Sequence, residues 1–316
     1  MSNTIAEAHS ALKTALADLH KPPYCTGTVP LDSNASILFY RSKSDSDKAE
    51  ILNFNQPTDS QLDALSQACQ PAPFGVDEQD VLNEAYRKAG KMEPSAFSTQ
   101  FSPSSLGIVE LIRETLLQGR SAKSVRVELY KLNVYGPGSF FKAHVDTPRS
   151  EDMFGSLVIV LPTNHEGGSL TFRHRGLEYV FDSAKAVALQ ENTTTPHVAY
   201  VAFYSDVEHE VSIVKSGYRV TLTYNLYWAK DIQPPSDNIL INDARDRFKS
   251  AFDTLLKSPE FLPKGGFVGF GLAHQYPFAT HSGGPRVPSR KMSEIEDELK
   301  GMDAIFKPML SEARRH

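Results

Sequence analysis

Apolar residues recur at helical spacing from Thr4 to His20, at Ile5, Ala8, Leu12, Leu16 and Leu19, which predicts an amphipathic first helix. Lys21-Pro22-Pro23 ends it, because a residue ahead of proline is driven out of the α region. Residues 24–75 are mixed, with turn-like polar clusters at Ser42–Asp47 and Gln56–Ser60. The pattern predicts further helices over Val81–Ala89 and Leu106–Gln118. From about Ser124 the period changes, and short β-rich runs follow one another between glycine and polar breaks. They are Val125–Tyr135, Ser156–Leu161, Ser169–Arg173, Leu177–Phe181, Ala186–Leu189, Val198–Tyr204, Glu210–Val214 and Tyr218–Trp228. Short strands at such close spacing predict a sandwich, a barrel or a jelly roll. No βαβ pattern, dinucleotide fingerprint or P-loop occurs, which excludes a nucleotide-binding parallel sheet. After Pro234-Pro235 the helical period returns over Asp243–Lys257 and Ser293–Phe306, with Ser293 and Glu296 as a capping box and Pro308 as the stop or kink. Between these helices, Gly265–Gly271 predicts a strand with close backbone contacts, a phosphate cradle being the rival reading. The Gly- and Pro-rich stretch 275–290, with His281 and Ser282, predicts a mobile loop near an entrance.

With 316 residues, 40% hydrophobic and 22% charged, the chain can bury a core without disulfides, and wholesale disorder is excluded. A net charge of −5 argues against a partner made of nucleic acid. Cys25 and Cys69 stand without a C-x-x-C motif and read as two reduced thiols. No signal-peptide core and no run of about 18 apolar residues is present, so no membrane partner is expected. The expectation is a soluble, cytoplasmic protein, with a nuclear location left open.

Chemistry concentrates in the β-rich middle. His144-Val145-Asp146 follows a strand in FKAHVDTP, and residues two apart on an extended chain point to one face. His209 stands at the start of a later strand, in SDVEHEVSIV. Two histidines and one carboxylate can occupy one face of an octahedron and leave three positions open, as in non-haem Fe(II) oxygenases. Ten residues after His209 comes Arg219, on an apolar strand with Val220, Leu222 and Leu226. A buried guanidinium needs a partner. Its planar fork suits a carboxylate, such as the 5-carboxylate of 2-oxoglutarate, and the alternative is a structural arginine paired with a nearby acid.

In this order (H-x-D, the segment Gly167-Gly168-Ser169-Leu170, H-E-V, then a tyrosine-arginine strand) the sequence resembles the 2-oxoglutarate and Fe(II)-dependent dioxygenases, specifically the prolyl 4-hydroxylase-like branch. The resemblance covers residues 124–228 in detail. KPPYCTGTVPL, FGVDEQDVLNEAYRKAGK and ELYKLNVYGPGSFFKAHVDTPR are similar to fungal members of that branch. The resemblance implies iron ligation by His144, Asp146 and His209, anchoring of 2-oxoglutarate by Arg219, and a second contact to that co-substrate from Tyr135. It implies Fe(II) and 2-oxoglutarate as cofactor and co-substrate, and is compatible with ascorbate. It implies a fold that is mainly β with flanking helices, around a double-stranded β-helix (jelly roll) core. Residues 1–123 would form a helical and mixed support region, 124–230 the dioxygenase core and 231–316 a helical extension. The implied reaction hydroxylates a C–H bond of a peptide, amino acid or small metabolite, with release of succinate and CO2. Where many members have a tyrosine in the strand before the glycine pair, this chain has Leu157-Val158-Ile159-Val160-Leu161.

Two rival functions use the same ligands. A non-redox, cupin-like metal-binding module would need no Arg219. A zinc hydrolase would need a general base, for which only Glu208 and Glu210 are near in sequence. His165, His174, His197 and His274 read as structural or surface histidines, and Tyr218, Tyr224, Tyr227 and Trp228 as packing.

Overall fold

The computed structural model describes residues 2–18, 21–43, 47–76, 79–117, 123–188, 195–232, 239–276 and 298–313. These fold as two compact units. The first comprises 1–22, 113–124 and 230–316, and the second 23–112 and 125–229.

The second unit is the jelly roll. Its larger sheet has seven strands among the described residues, in the order Tyr24–Pro30, His197–Tyr204, Met153–Val160, Arg219–Ile232, Lys123–Tyr135, Gly90–Met92 and Gln70–Pro71. The smaller has five, in the order Leu177–Phe181, Leu170–His174, Glu208–Val211, Phe140–His144 and Arg87–Lys88. Apart from the hairpin of Leu170–His174 and Leu177–Phe181, neighbouring strands are mostly distant in sequence. Tyr24 pairs with Phe203 and Ser156 with Asn225, both antiparallel. The two central strands carry the alternation that makes this possible. In Lys123–Tyr135, Leu132 and Val134 are fully buried on one face, while Lys131, Asn133 and Tyr135 take the other. In Arg219–Ile232, Val220, Leu222 and Leu226 are buried on the apolar face, and Arg219, Thr221, Thr223 and Asn225 alternate with them. Each such apolar side chain contributes about 1.5–3 kcal/mol on burial. The polar face, which a plain core would not tolerate, lines a cavity.

A small sheet of Ile37–Arg41, Ala49–Asn53 and Phe97–Thr99 belongs to the same unit, as does the helix Asp59–Ala68. That helix starts at a full capping box, Thr58 with Gln61, and buries Leu62 and Leu65.

In the first unit the helices Ser2–Asp18, Ile239–Leu256 and Gly301–Ala313 share a core of Leu12, Phe248, Phe252, Ile305, Phe306 and Met309. The expected helices Thr4–His20 and Asp243–Lys257 are realised at Ser2–Asp18 and Ile239–Leu256, whereas the last helix, expected at Ser293–Phe306, is Gly301–Ala313 and runs past Pro308 instead of stopping there. Asp303, buried, accepts from the backbone N–H groups of Ala273 and His274 and from the Tyr276 hydroxyl, at 2.8, 3.1 and 2.8 Å. No helix among the described residues is long and apolar enough to cross a membrane. Neither cysteine forms a disulfide, and burial pushes the Cys69 thiol up to about 12.

Several local expectations are overturned. Val81–Ala89 is not a helix: Gln79–Val81 and Arg87–Lys88 are strands around a turn. Asn83 directs that turn, its side-chain oxygen accepting from the Ala85 N–H at 3.0 Å and its carbonyl from Tyr86 and Arg87 at 2.9 Å each. Such local bonding competes with helix. Of the segment expected as the strand Ala186–Leu189, Ala186 and Val187 end a short helix, Ser183–Val187, that Asp182 caps through the Lys185 N–H, Ala188 is its C-cap, and Leu189 lies outside the described residues. The run Glu210–Val214 is divided between Glu208–Val211 and Val214–Gly217, which lie in different sheets. Residues 265–271 form no strand, and Gly269 and Gly271 face open space rather than close backbone. Phe270 anchors this stretch, stacking on Phe306 at 5.3 Å. Most of the expected loop 275–290, with His281 and Ser282, and the capping box Ser293–Glu296 lie outside the described residues.

Candidate active site

The strands Phe140–His144 and Glu208–Val211 pair antiparallel with His144 opposite His209. This register brings together two imidazoles 65 residues apart in sequence, with ring centroids 4.2 Å apart. Asp146 follows His144 just past its strand, and its Oδ1 lies 3.8 Å from His209 Nε2. One ligating atom from each of the three residues falls within 4.8 Å of the others.

Each member is held by a second group. His144 Nδ1 lies 2.8 Å from the Lys142 carbonyl and His209 Nδ1 3.0 Å from that of Val207. A carbonyl only accepts, so both Nδ1 atoms carry the proton and both Nε2 atoms present a lone pair. Ser156 Oγ–H donates to Asp146 Oδ2 at 2.6 Å, leaving Oδ1 for a ligand. His209 packs against Phe203, with centroids 4.5 Å apart, and His144 stacks on Phe141 at 3.5 Å. Burial, and then the charge of His209, push the His144 imidazole down to about 3, so it is neutral at physiological pH. Burial acts upward on the Asp146 carboxyl, but His209, His144, the Ser156 hydroxyl and Lys131 outweigh it and hold it below the usual carboxylate range. Two imidazoles that present Nε2 and an ionised carboxylate are a donor set for a divalent cation.

The triad lines a cavity of about 600 Å³, within the roughly 300–1,000 Å³ span of ligand sites. Arg219 and Tyr135 line it too. Arg219 is 1% exposed and has no carboxylate partner among the described residues. Its Nε donates to Ser183 Oγ at 3.1 Å, and its Nη2 is buried without a partner. Burial lowers the guanidinium to about 10, with Tyr135 acting in the opposite direction, so it stays charged. The Tyr135 ring centroid is 5.4 Å from the guanidinium carbon. A buried cation with an orphaned donor is a costly feature unless an anion completes it.

Ser183, which sequence reasoning left out, holds Arg219 in place together with Gly168 and His165. Ser183 Oγ is 3.2 Å from the Gly168 carbonyl oxygen, to which it can donate, and 3.1 Å from His165 Nε2. Gly168, at φ +70°, leaves the room: a Cβ there would sit 2.8 Å from Arg219 Cδ. His165 is therefore structural, as read from its context, and it supports the site through Ser183. Ser183 gave no signal because its run was read as lying before a strand. Glu208 and Glu210, the candidate bases for a hydrolase, both face Arg173, at 3.5 and 3.0 Å. Ser156 supplies a hydroxyl from the strand whose residues 157–161 have none.

Residues 130–227 match the family model of the 2OG-Fe(II) oxygenase superfamily. No curated protein matches the sequence. Among solved structures, the chain is similar to a prolyl-4-hydroxylase of Pseudomonas putida, with 16% identity over 69% of this chain and 100% of that one, at a TM-score of 0.40. It is similar to a Trichoplax adhaerens prolyl hydroxylase solved with a hypoxia inducible factor peptide fragment, with 12% identity over 72% and 91% of the two chains and a TM-score of 0.37. It is also similar to the viral collagen prolyl hydroxylase of Paramecium Bursaria Chlorella virus-1, with 14% identity over 54% and 92% and a TM-score of 0.32. The family match spans the strands that carry Tyr135, His144, Asp146, His209 and Arg219, and over that stretch the chain is similar to the 2OG-Fe(II) oxygenases, enzymes that use Fe(II) and 2-oxoglutarate.

Proposed function

We propose that His144, Asp146 and His209 hold the Fe(II), that Arg219 anchors the distal carboxylate of 2-oxoglutarate beside Tyr135, and that the enzyme hydroxylates a C–H bond of a peptide, amino acid or small metabolite. When bound, the metal with 2-oxoglutarate and dioxygen supplies the C–H oxidation, with succinate and CO2 as co-products. The chain's own residues bind and orient. His144 and His209 present Nε2 in a fixed tautomer, and Ser156 turns Asp146 so that Oδ1 faces the same point. Tyr135 lines the cavity, and its hydroxyl makes no hydrogen bond within the protein among the described residues.

The observation that carries this reading is Arg219: a buried guanidinium in the triad's own cavity, with an orphaned N–H and no acidic partner among the described residues. A cupin-like module leaves its cost unexplained. A zinc hydrolase also lacks a base, since Glu208 and Glu210 are engaged by Arg173. The test is succinate formation from 2-oxoglutarate with Fe(II) across a substrate panel, preceded by 2-oxoglutarate binding to the anaerobic Fe(II) protein. A metal-loaded protein that does not bind 2-oxoglutarate sinks the proposal.

Gly168→Ala is expected to weaken 2-oxoglutarate binding with metal content unchanged. The added methyl meets Arg219 Cδ at 2.8 Å and forces a side chain onto φ +70°, a strain of about 1–3 kcal/mol. Calorimetric titration of the folded variant decides it: wild-type affinity would mean that the guanidinium adjusts freely.

A further inference from the structure

The cavity is far more basic than the chain. The protein carries a net charge of −5. Yet Arg87, Lys91, Lys131, Arg149 and Arg219 all line this cavity, and Asp146 is the one carboxylate among the lining residues. Lys91 is satisfied by Glu93 at 2.8 Å. Once Fe(II) and 2-oxoglutarate are bound, their charges cancel against those of Asp146 and Arg219. Arg87, Lys131 and Arg149 then remain without an anion.

These three are placed, not loosely distributed. Arg87 is 4% exposed. Its Nη1 donates to the Pro73 carbonyl at 2.7 Å and its Nη2 to Asn133 Oδ1 at 2.9 Å, while Nε is buried without a partner. Asn133 is itself held by donating to Thr223 Oγ1 at 3.0 Å. The guanidinium lies 4.3 Å over the Phe141 ring. Lys131 Nζ and the Arg149 guanidinium carbon both sit on the Tyr130 ring, at 4.4 and 4.2 Å, and Arg149 Nη2 also bonds the Tyr130 hydroxyl. None of the three makes an ion pair with a carboxylate among the described residues. Lys131 and Tyr135 share one face of one strand, four residues and so roughly 13 Å apart, which separates this cluster from the Arg219 end. Holding like charges together in a partly dry cavity is unfavourable unless an anion joins them.

We propose that the substrate of this oxygenase carries an oxyanion, a carboxylate or a phosphate, which seats against Arg87, Lys131 and Arg149. The proposal rests on the oxygenase reading, since it assigns to the substrate the charge that the metal and 2-oxoglutarate leave unmatched. Aromatic faces at Phe141 and Tyr130 keep the cations extended, and Asn133 and the Pro73 carbonyl fix the Arg87 fork, so little side-chain entropy is lost when the anion arrives. The Lys131 amine agrees with this placement: burial, and then Arg87, drive it down to about 7, with Arg149 and Lys91 adding to the shift and Asp146 opposing it.

The test titrates the anaerobic Fe(II) protein, saturated with 2-oxoglutarate, by calorimetry. The probes are N-acetyl amino acids as free acids and as their neutral amides, and N-acetylphosphoserine amide beside N-acetylserine amide. An anionic probe is expected to bind roughly 10- to 100-fold tighter than its neutral twin, and the two arms tell carboxylate from phosphate. Lys131→Met and Arg149→Gln should each remove most of that difference, with 2-oxoglutarate affinity held within about twofold. Both lie nearer the surface than Arg87, whose replacement risks the fold. Equal binding of anionic and neutral probes, or an undiminished difference in both variants, overturns the proposal. So does loss of 2-oxoglutarate binding in these variants, which would give the cluster to the co-substrate. The wild-type titration with 2-oxoglutarate alone is run first. Its failure removes the oxygenase reading and this proposal together, whereas failure of the probes alone removes only the anionic substrate.

Discussion

Arg219→Ala is expected to lower the affinity of the anaerobic Fe(II) protein for 2-oxoglutarate by roughly 10²–10³-fold, with metal occupancy at the wild-type level. The guanidinium is 1% exposed, and its Nη2 has no partner within the protein. Its truncation strands a buried carboxylate, and breaking one side of such a pair costs about 3–5 kcal/mol. Arg219→Lys should be intermediate, because lysine keeps a charge but loses the fork that reaches both Ser183 and a carboxylate. Metal content and circular dichroism of each variant separate a binding effect from misfolding. If Arg219→Ala binds 2-oxoglutarate normally, the arginine is structural, and the cupin-like and hydrolase readings regain ground.

His144→Ala and His209→Ala are each expected to abolish stoichiometric metal binding, and Ser156→Ala only to weaken it. Removing a direct ligand should exceed the roughly 10–100-fold loss that follows removal of an outer partner, and Ser156, which donates to Asp146 Oδ2, is such a partner. His209→Ala also leaves a void against Phe203, so its loss of stability should exceed that of His144→Ala, whose ring is more exposed. Metal content after anaerobic Fe(II) loading and desalting measures all three. Full metal retention in both histidine variants would overturn the ligand assignment.

The candidate site residues were legible because each breaks a local rule. Arg219 interrupts the apolar run with Val220, Leu222 and Leu226, and His144-Val145-Asp146 puts two metal-binding side chains at the spacing of one strand face. The same alternation was present in Lys131, Asn133 and Tyr135 and in Thr221, Thr223 and Asn225, and it marks the polar wall of the cavity. The local errors share a cause as well. Asn83 and Asp182 bond backbone groups within three or four residues and so redirect stretches whose apolar spacing pointed elsewhere. Residues 265–271 had the composition of a strand but no partner to complete a ladder.

By itself the sequence determined the types of side chain, the period of the strands that carry them and the helices at both ends. These depend on neighbours a few residues away, which pattern records directly. Only the tertiary structure decided that His144 stands opposite His209, that Gly168 and Ser183 close around Arg219, and that Arg87, Lys131 and Arg149 meet on one cavity with no acid of their own. Those are matters of register between distant strands and of which charges are left unmatched after burial. Both emerge from the summed contacts of the whole fold, so no local stretch of sequence contains them.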